Sequence, residues 1–309
     1  MLTRIAMLAI LTVAVGGVAS AAAPPPLDVA RIVARIPTGT APCSENAGFG
    51  SMWVSNAGDN TVARVDPATN RVTGLAKVGK GPCGVAASDD ALWIDGYGTD
   101  SVERVDPRTL QVTTRILIGP SVWDVEFGAG SVWATSEFDG TVSRIDPATR
   151  KIVAAIKVGR APRQVRYGLD AIWVGENAGS SIYRVDPATN KARAIPTGLA
   201  QPDSVAVSAT SIWVTSSANL YAVRLSPKTL KPVARVKVGG GPSNPAFGSD
   251  GSVFVPNNWD GTVSRIDQRT NKVIATYRVG PKVFPAAPGF GDVWVPSTGA
   301  NRVARIHVG

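Results

Sequence analysis

The chain has 309 residues, of which 44% are hydrophobic and 18% charged, with 32 Gly, 23 Pro and a formal net charge of +9. This balance excludes a disordered chain and suits a β-rich fold with many tight turns. The cations are spread along the sequence rather than clustered, which argues against a nucleic-acid-binding protein.

Residues 1–23 carry one cation, Arg4, then an apolar run from Ile5 to Val18 and the small residues Ala19, Ser20 and Ala21. This is the order of a cleavable secretory signal, and the run is short for a membrane span. Pro24, Pro25 and Pro26 then break any helix. Cleavage near Ala21 to Ala23 is expected, leaving a domain of residues 24–309 in the periplasm or outside the cell, without a membrane span and monomeric.

Tryptophans at 53, 93, 133, 173 and 213 stand 40 residues apart, Phe254 follows after 41 and Trp294 after another 40. The same period carries Val65-Asp66-Pro67, Val105-Asp106-Pro107, Ile145-Asp146-Pro147 and Val185-Asp186-Pro187, with weaker copies at Leu225-Ser226-Pro227 and Ile266-Asp267. A repeat of this length built from short strands marks propeller blades, each a four-stranded sheet. The fold expected is therefore all-β: one seven-bladed β-propeller.

Residues 82–118 show how one blade reads. Val85 to Ala87 forms the innermost strand, Ala91 to Ile94 the second, Ser101 to Val105 the third and Val112 to Ile118 the outermost. Asp106-Pro107 suits a type I turn between the last two, because proline pre-sets φ at the second position. The seventh repeat stops after its third strand, Asn301 to His307, whereas Arg31 to Ile36 matches an outermost strand with no blade of its own. The amino-terminal strand should complete the last blade and remove the ring's open edge.

Segments such as Trp53-Val54-Ser55-Asn56-Ala57-Gly58-Asp59-Asn60-Thr61-Val62, and Asp146-Pro147-Ala148-Thr149 with Lys151-Ile152-Val153-Ala154, resemble the YVTN-type bacterial propeller repeats and the streptogramin (virginiamycin B) lyase superfamily. The resemblance covers residues 28–309. It implies a scaffold that hosts many functions.

In this topology the blade-to-blade crossings and the loops between second and third strands share one face, around the mouth of the central channel. Two adjacent positions after the recurrent proline vary from blade to blade: Cys43, Cys83, Trp123, Arg163, Asp203, Ser243 and Phe284, then Ser44, Gly84, Asp124, Gln164, Ser204, Asn244 and Pro285. The second loop set adds Asn56, Asp95, Tyr97, Glu137, Phe138, Glu176, Asn177, Asn257, Asn258 and Trp259. Aromatic walls with a few polar groups fit a pocket for a small molecule, glycan or peptide. Trp123, Asp124, Arg163, Gln164, Asp203, Asn244, Phe284, Tyr97, Glu137, Asn177, Asn257 and Trp259 are the candidate ligand-binding residues.

The resemblance to streptogramin lyases implies a histidine base with a divalent metal. The single histidine, His307, aligns with the Asp-Pro turn at the opposite face, out of reach of a proton at the mouth. Gluconolactonase-like propellers suggest another chemistry, in which Glu45, Asp124 and Asp203, with Asn244, hold Ca²⁺ or Mg²⁺ for hydrolysis of a lactone or cyclic ester. Arg163 shares those columns and offers Asp203 or Asp124 an ion pair instead. A third reading is a scaffold that docks other envelope proteins.

Arginine recurs in every third strand, at 64, 104, 144, 184, 224, 265 and 305, and a structural contact with the aspartate two positions on is expected. Gly79-Lys80-Gly81-Pro82-Cys83-Gly84 mimics a dinucleotide-binding loop, but no helix follows to supply the phosphate site. Cys43 and Cys83 hold equivalent places in adjacent blades. An exported protein favours their disulfide, while positions near the axis of a ring approach the limit of about 4.4 to 6.8 Å between Cα atoms that a bridge spans; both states stay open.

Overall fold

The computed structural model describes residues 31–309, and the expected signal segment lies outside the described residues. Seven four-stranded antiparallel sheets form a ring. Blade 1 comprises Pro42–Gly48, Ser51–Asn56, Thr61–Asp66 and Arg71–Lys77. Blades 2 to 6 repeat this order, beginning at Val85, Val122, Pro162, Ser204 and Ala246. Among the described residues the one helical element is a single 3-10 turn, Thr298–Ala300, and no helix there is long and apolar enough to cross a membrane.

Blade 7 takes Ala287–Gly289, Asp292–Ser297 and Arg302–His307 from the end of the chain and Ile32–Pro37 from its beginning, paired antiparallel with Ile36 opposite Val303. The ring therefore closes by hydrogen bonds between the two ends of the chain. The edges that remain are the outermost strands at the rim and the innermost strands lining the channel.

The tryptophan column is the core. Trp53, Trp93, Trp133, Trp173, Trp213 and Trp294 are at most 1% exposed, each wedged between its own sheet and the next. A buried indole also needs an acceptor for its N–H. The turn before it supplies one: Gly48, Gly128, Gly168 and Gly289 carbonyls accept at 2.9 to 3.0 Å. In blade 6 the turn is one residue longer and the column holds Phe254, which has no N–H to satisfy. Truncating any of these tryptophans to alanine is worth about 3–5 kcal/mol.

The third-strand arginines do not pair with the aspartate two residues on. That aspartate folds into its own turn, as where Asp146 accepts the Ala148 and Thr149 N–H groups. In blades 3, 4, 6 and 7 the arginine instead lies over the aromatic of its own blade, 5.3 Å from the Trp133 ring for Arg144. Arg144 also donates to the Pro187 carbonyl in the turn of the next blade at 2.6 Å, and in blade 2 Arg104 meets Asp90 of its own first turn at 2.8 Å. Register explains the choice: Arg144 stands directly opposite Trp133, so the guanidinium is already stacked before it seeks an anion.

Candidate functional site

The crossings and the second-to-third loops converge at one end of the channel on a cavity of about 140 Å³. Its aromatic wall is Trp123, Trp259 and Phe284, and its polar wall is Asp124, Arg163, Asp203, Asn244, Asn258 and the serines 44, 204, 217 and 243. Of the eight tryptophans, the two outside the buried column both stand here, and Trp259 is 66% exposed.

Arg163 is central to this arrangement. Its guanidinium carbon lies 4.2 Å from the Trp123 ring centroid, and Nη2 sits 3.2 Å from Glu137 Oε1. Tyr97 meets the same tryptophan edge-on at 5.6 Å. The cation is thus held by Glu137 rather than by the expected Asp203 or Asp124. Tyr97 and Glu137 stand behind the cavity wall as supports.

Asp203, 5% exposed, accepts from Ser217 Oγ at 2.7 Å, and the Ser204 hydroxyl lies between Asp203 Oδ1 at 3.0 Å and Asn244 Oδ1 at 2.6 Å. Burial pushes its carboxyl above the ordinary range, and the two serines with Arg163 oppose the rise.

Asp124 has a different task. Its carboxylate accepts the Val125 N–H at 2.9 Å and the Val165 N–H of the next blade at 3.1 Å, and pairs with Arg166 at 2.8 Å. One position on in the ring, Gln164 Oε1 accepts the Val205 N–H at 2.5 Å and keeps the side chain off the cavity wall. In blades 3 and 4 this column clips the inner strand to its neighbour. Asn257 is also structural: fully buried, it donates to Thr262 Oγ1 at 3.0 Å and Ser264 Oγ at 2.9 Å. Its neighbour Asn258 lines the mouth instead, while Asn177 is half-buried and off the wall.

The proposed metal set does not assemble. Glu45 is 4% exposed, neither carboxylate oxygen has a hydrogen-bond partner, and it borders a second cavity of about 330 Å³ at the other end of the channel. It stands in a position that Val85, Val125, Val165 and Val205 fill in blades 2 to 5. Burial pushes its carboxyl well above the ordinary range. Among the described residues no three His, Cys, Asp or Glu side chains converge to hold an ion, so Glu45, Asp124 and Asp203 are not a common donor set for Ca²⁺ or Mg²⁺.

Two charged residues in this second cavity were missed from sequence. Arg166 lies 2.8 Å from Asp124 and 3.6 Å from Glu126, whose carboxyl is raised to about 7 by burial, lowered by Arg166 and raised again by Asp124. Their column otherwise reads Asn46, Ala86, Ala206, Ala246 and Ala287. A charge among alanines was the available signal.

Cys43 and Cys83 form a disulfide with Cα atoms 5.0 Å apart, and Cys83 lines the mouth cavity. His307 ends the last strand with Nδ1 2.8 Å from Asp292 Oδ1 and borders neither cavity.

With this geometry in place, similarity to solved structures is extensive. The chain superposes on a streptogramin B lyase with a TM-score of 0.76 at 16% identity, over 89% of this chain and 95% of that one. Virginiamycin B lyase from Staphylococcus aureus gives 0.75 at 13% identity, over 87% and 95%. Kuenenia stuttgartiensis hydrazine synthase gives 0.73 at 16%, over 95% and 99%. The fold is the streptogramin lyase-like seven-bladed β-propeller. No family model matches the sequence, and no curated protein does.

Proposed function

We propose that this protein is an exported binding propeller that takes one end of a small molecule, glycan or peptide into the channel mouth. The observation that carries this reading is the pair of tryptophans released from the buried column and placed on the cavity wall, with Arg163 and Asp203 as opposite charges between them. A cavity of about 140 Å³ is small beside the roughly 300–1,000 Å³ of pockets that enclose whole ligands. It suits one ring or one side chain, with the remainder of the ligand lying over the rim. Neither metal-assisted hydrolysis nor histidine-based elimination has its residues gathered at this mouth, since Glu45 borders the other end and His307 lies on the opposite face.

The test is a panel of oligosaccharides and short peptides read by melting temperature and by iodide quenching of tryptophan fluorescence. A true ligand adds about 2.7 kcal/mol at 100 times its dissociation constant and shields Trp123 and Trp259, and Asp203→Asn or Trp259→Ala removes both effects. A ligand that stabilises without shielding, or that survives both substitutions, overturns the assignment.

A further inference from the structure

The turns joining first to second and third to fourth strands leave the ring on the face opposite the mouth. Positive charge that is dispersed along the sequence is gathered there by the repeat. Each of the six continuous third-to-fourth turns presents an exposed cation: Arg71, Arg108, Lys151, Lys191, Lys231 and Lys272. Most carboxylates of this face are engaged in local hydrogen bonds or ion pairs, while Asp89 and Asp170 stand exposed. Asp66, Asp146 and Asp186 accept the N–H two residues on at 2.8 to 2.9 Å, and Asp90, Asp250 and Asp292 are paired with third-strand arginines.

Two aromatic rings stand on the same face. Phe49 and Phe290 occupy the tips of the first-to-second turns of blades 1 and 7, 42% and 41% exposed. Both are in the left-handed region, at φ 50° and 56°, which bulky residues rarely enter. The equivalent tips of blades 2, 3, 5 and 6 carry Asp89, Ala129, Ala209 and Asp250. Blades 7 and 1 are neighbours, with Trp294 and Met52 in one core cluster, so the two rings sit on adjacent turns.

The chain also joins the ring here. The His307 N–H donates to the Arg31 carbonyl at 2.8 Å, at the turn end of blade 7.

We propose that the turn face docks peripherally on an anionic phospholipid bilayer, with the cations at headgroup level and Phe49 and Phe290 entering the interface. A ring of point charges neutralises an area rather than a line, which favours a lipid surface over a single polyanion strand. Juxtamembrane cations and interfacial aromatic side chains are the two contributions such docking uses. The mouth is then held away from the membrane, open to solvent, and the inference stands or falls independently of what the mouth binds.

Every strand of the closed ring lies within residues 31–309, so the chain from Pro24 onward is the species to test, by co-sedimentation with vesicles of phosphatidylcholine alone or mixed with phosphatidylglycerol. Partition is expected only with phosphatidylglycerol, weakening as salt shortens the Debye length from about 8 Å. The combined reversal Lys151→Glu, Lys191→Glu and Lys231→Glu should reduce it at least about tenfold. Phe49→Ser with Phe290→Ser should weaken it without changing charge, and Lys80→Glu with Lys282→Glu, on the mouth face, should leave it unchanged. Partition that ignores phosphatidylglycerol, that survives either turn-face variant folded, or that the mouth-face variant abolishes equally overturns the proposal. Capture of soluble heparin with no vesicle partition also overturns it.

Discussion

The Arg163 guanidinium of blade 4 rests 4.2 Å from the Trp123 ring of blade 3, so two blades meet at the mouth through a cation on an aromatic face. Arg163→Ala removes this contact and leaves Glu137, 7% exposed, without its partner. A loss of about 1–2 kcal/mol is expected in denaturant melts, with weakened ligand binding. Arg163→Lys should restore the charge but not the flat stacking, so stability should recover more than binding.

Glu45 is an acid in a valine position without a well-formed hydrogen bond to either oxygen, offset only in part by the Arg166 charge and the Ala287 N–H. Replacing it by valine removes a buried group that must stay protonated or unpaired. Glu45→Val is expected to stabilise the protein by about 1–3 kcal/mol, read as a higher melting midpoint; a fall would mean that the carboxyl has an undetected structural task.

Glu126 titrates near 7 in the folded chain against an ordinary value of 4.5. A raised carboxyl means that the folded state holds the proton more tightly than the unfolded one. Its stabilising effect is therefore present below about pH 4.5 and is lost as pH rises towards and through 7. Over that window the loss is about 3 kcal/mol at most. Melting curves should fall between pH 5 and pH 8, as rough working limits around that window, and Glu126→Gln should flatten the fall. An equally steep fall in the variant would assign the titration elsewhere in the channel.

The Cys43–Cys83 bridge closes a loop of 40 residues between neighbouring blades. On the chain-entropy account it stabilises by about 4 kcal/mol. Reductant, or the double change to serine, should lower the melting temperature by several degrees. Mass spectrometry after alkylation without reductant should find no added label, and two labels would remove the bridge from the account.

Deleting residues 28–36 takes away the strand opposite Arg302–His307 and strips cover from Val303 and Ala304, now at most 1% exposed. Insoluble protein is expected. A soluble truncation with one cooperative melt would show that closure is dispensable.

Much of this architecture was legible because a repeat multiplies weak signals. One Trp or one Asp-Pro says little, but seven spaced aromatic positions with the Asp-Pro copies between them fix blade number, strand order and closure, and the strands expected in blade 2 agree with those observed to within two residues. The mouth was legible only as a set of columns. Sequence placed Asn257 and Gln164 beside Trp259 and Asp203 because all four sit in loops or crossings on the same face. It could not say that Asn257 turns inward to the next strand of its own blade or that Gln164 reaches the neighbouring backbone, since a shift of one residue reverses the side of a strand. Glu45 failed for the same reason: one position from Ser44, it belongs to the valine row.

Of the described strands, the one that seals the ring is made first and its partner, Arg302–His307, last. At about 5–20 residues per second of synthesis, the opening segment waits on the order of tens of seconds while six modules condense beside it. Assembly is thus obliged to end with a tail-to-head handshake. Any agent that protects this chain during manufacture must guard that early strand until its partner is delivered.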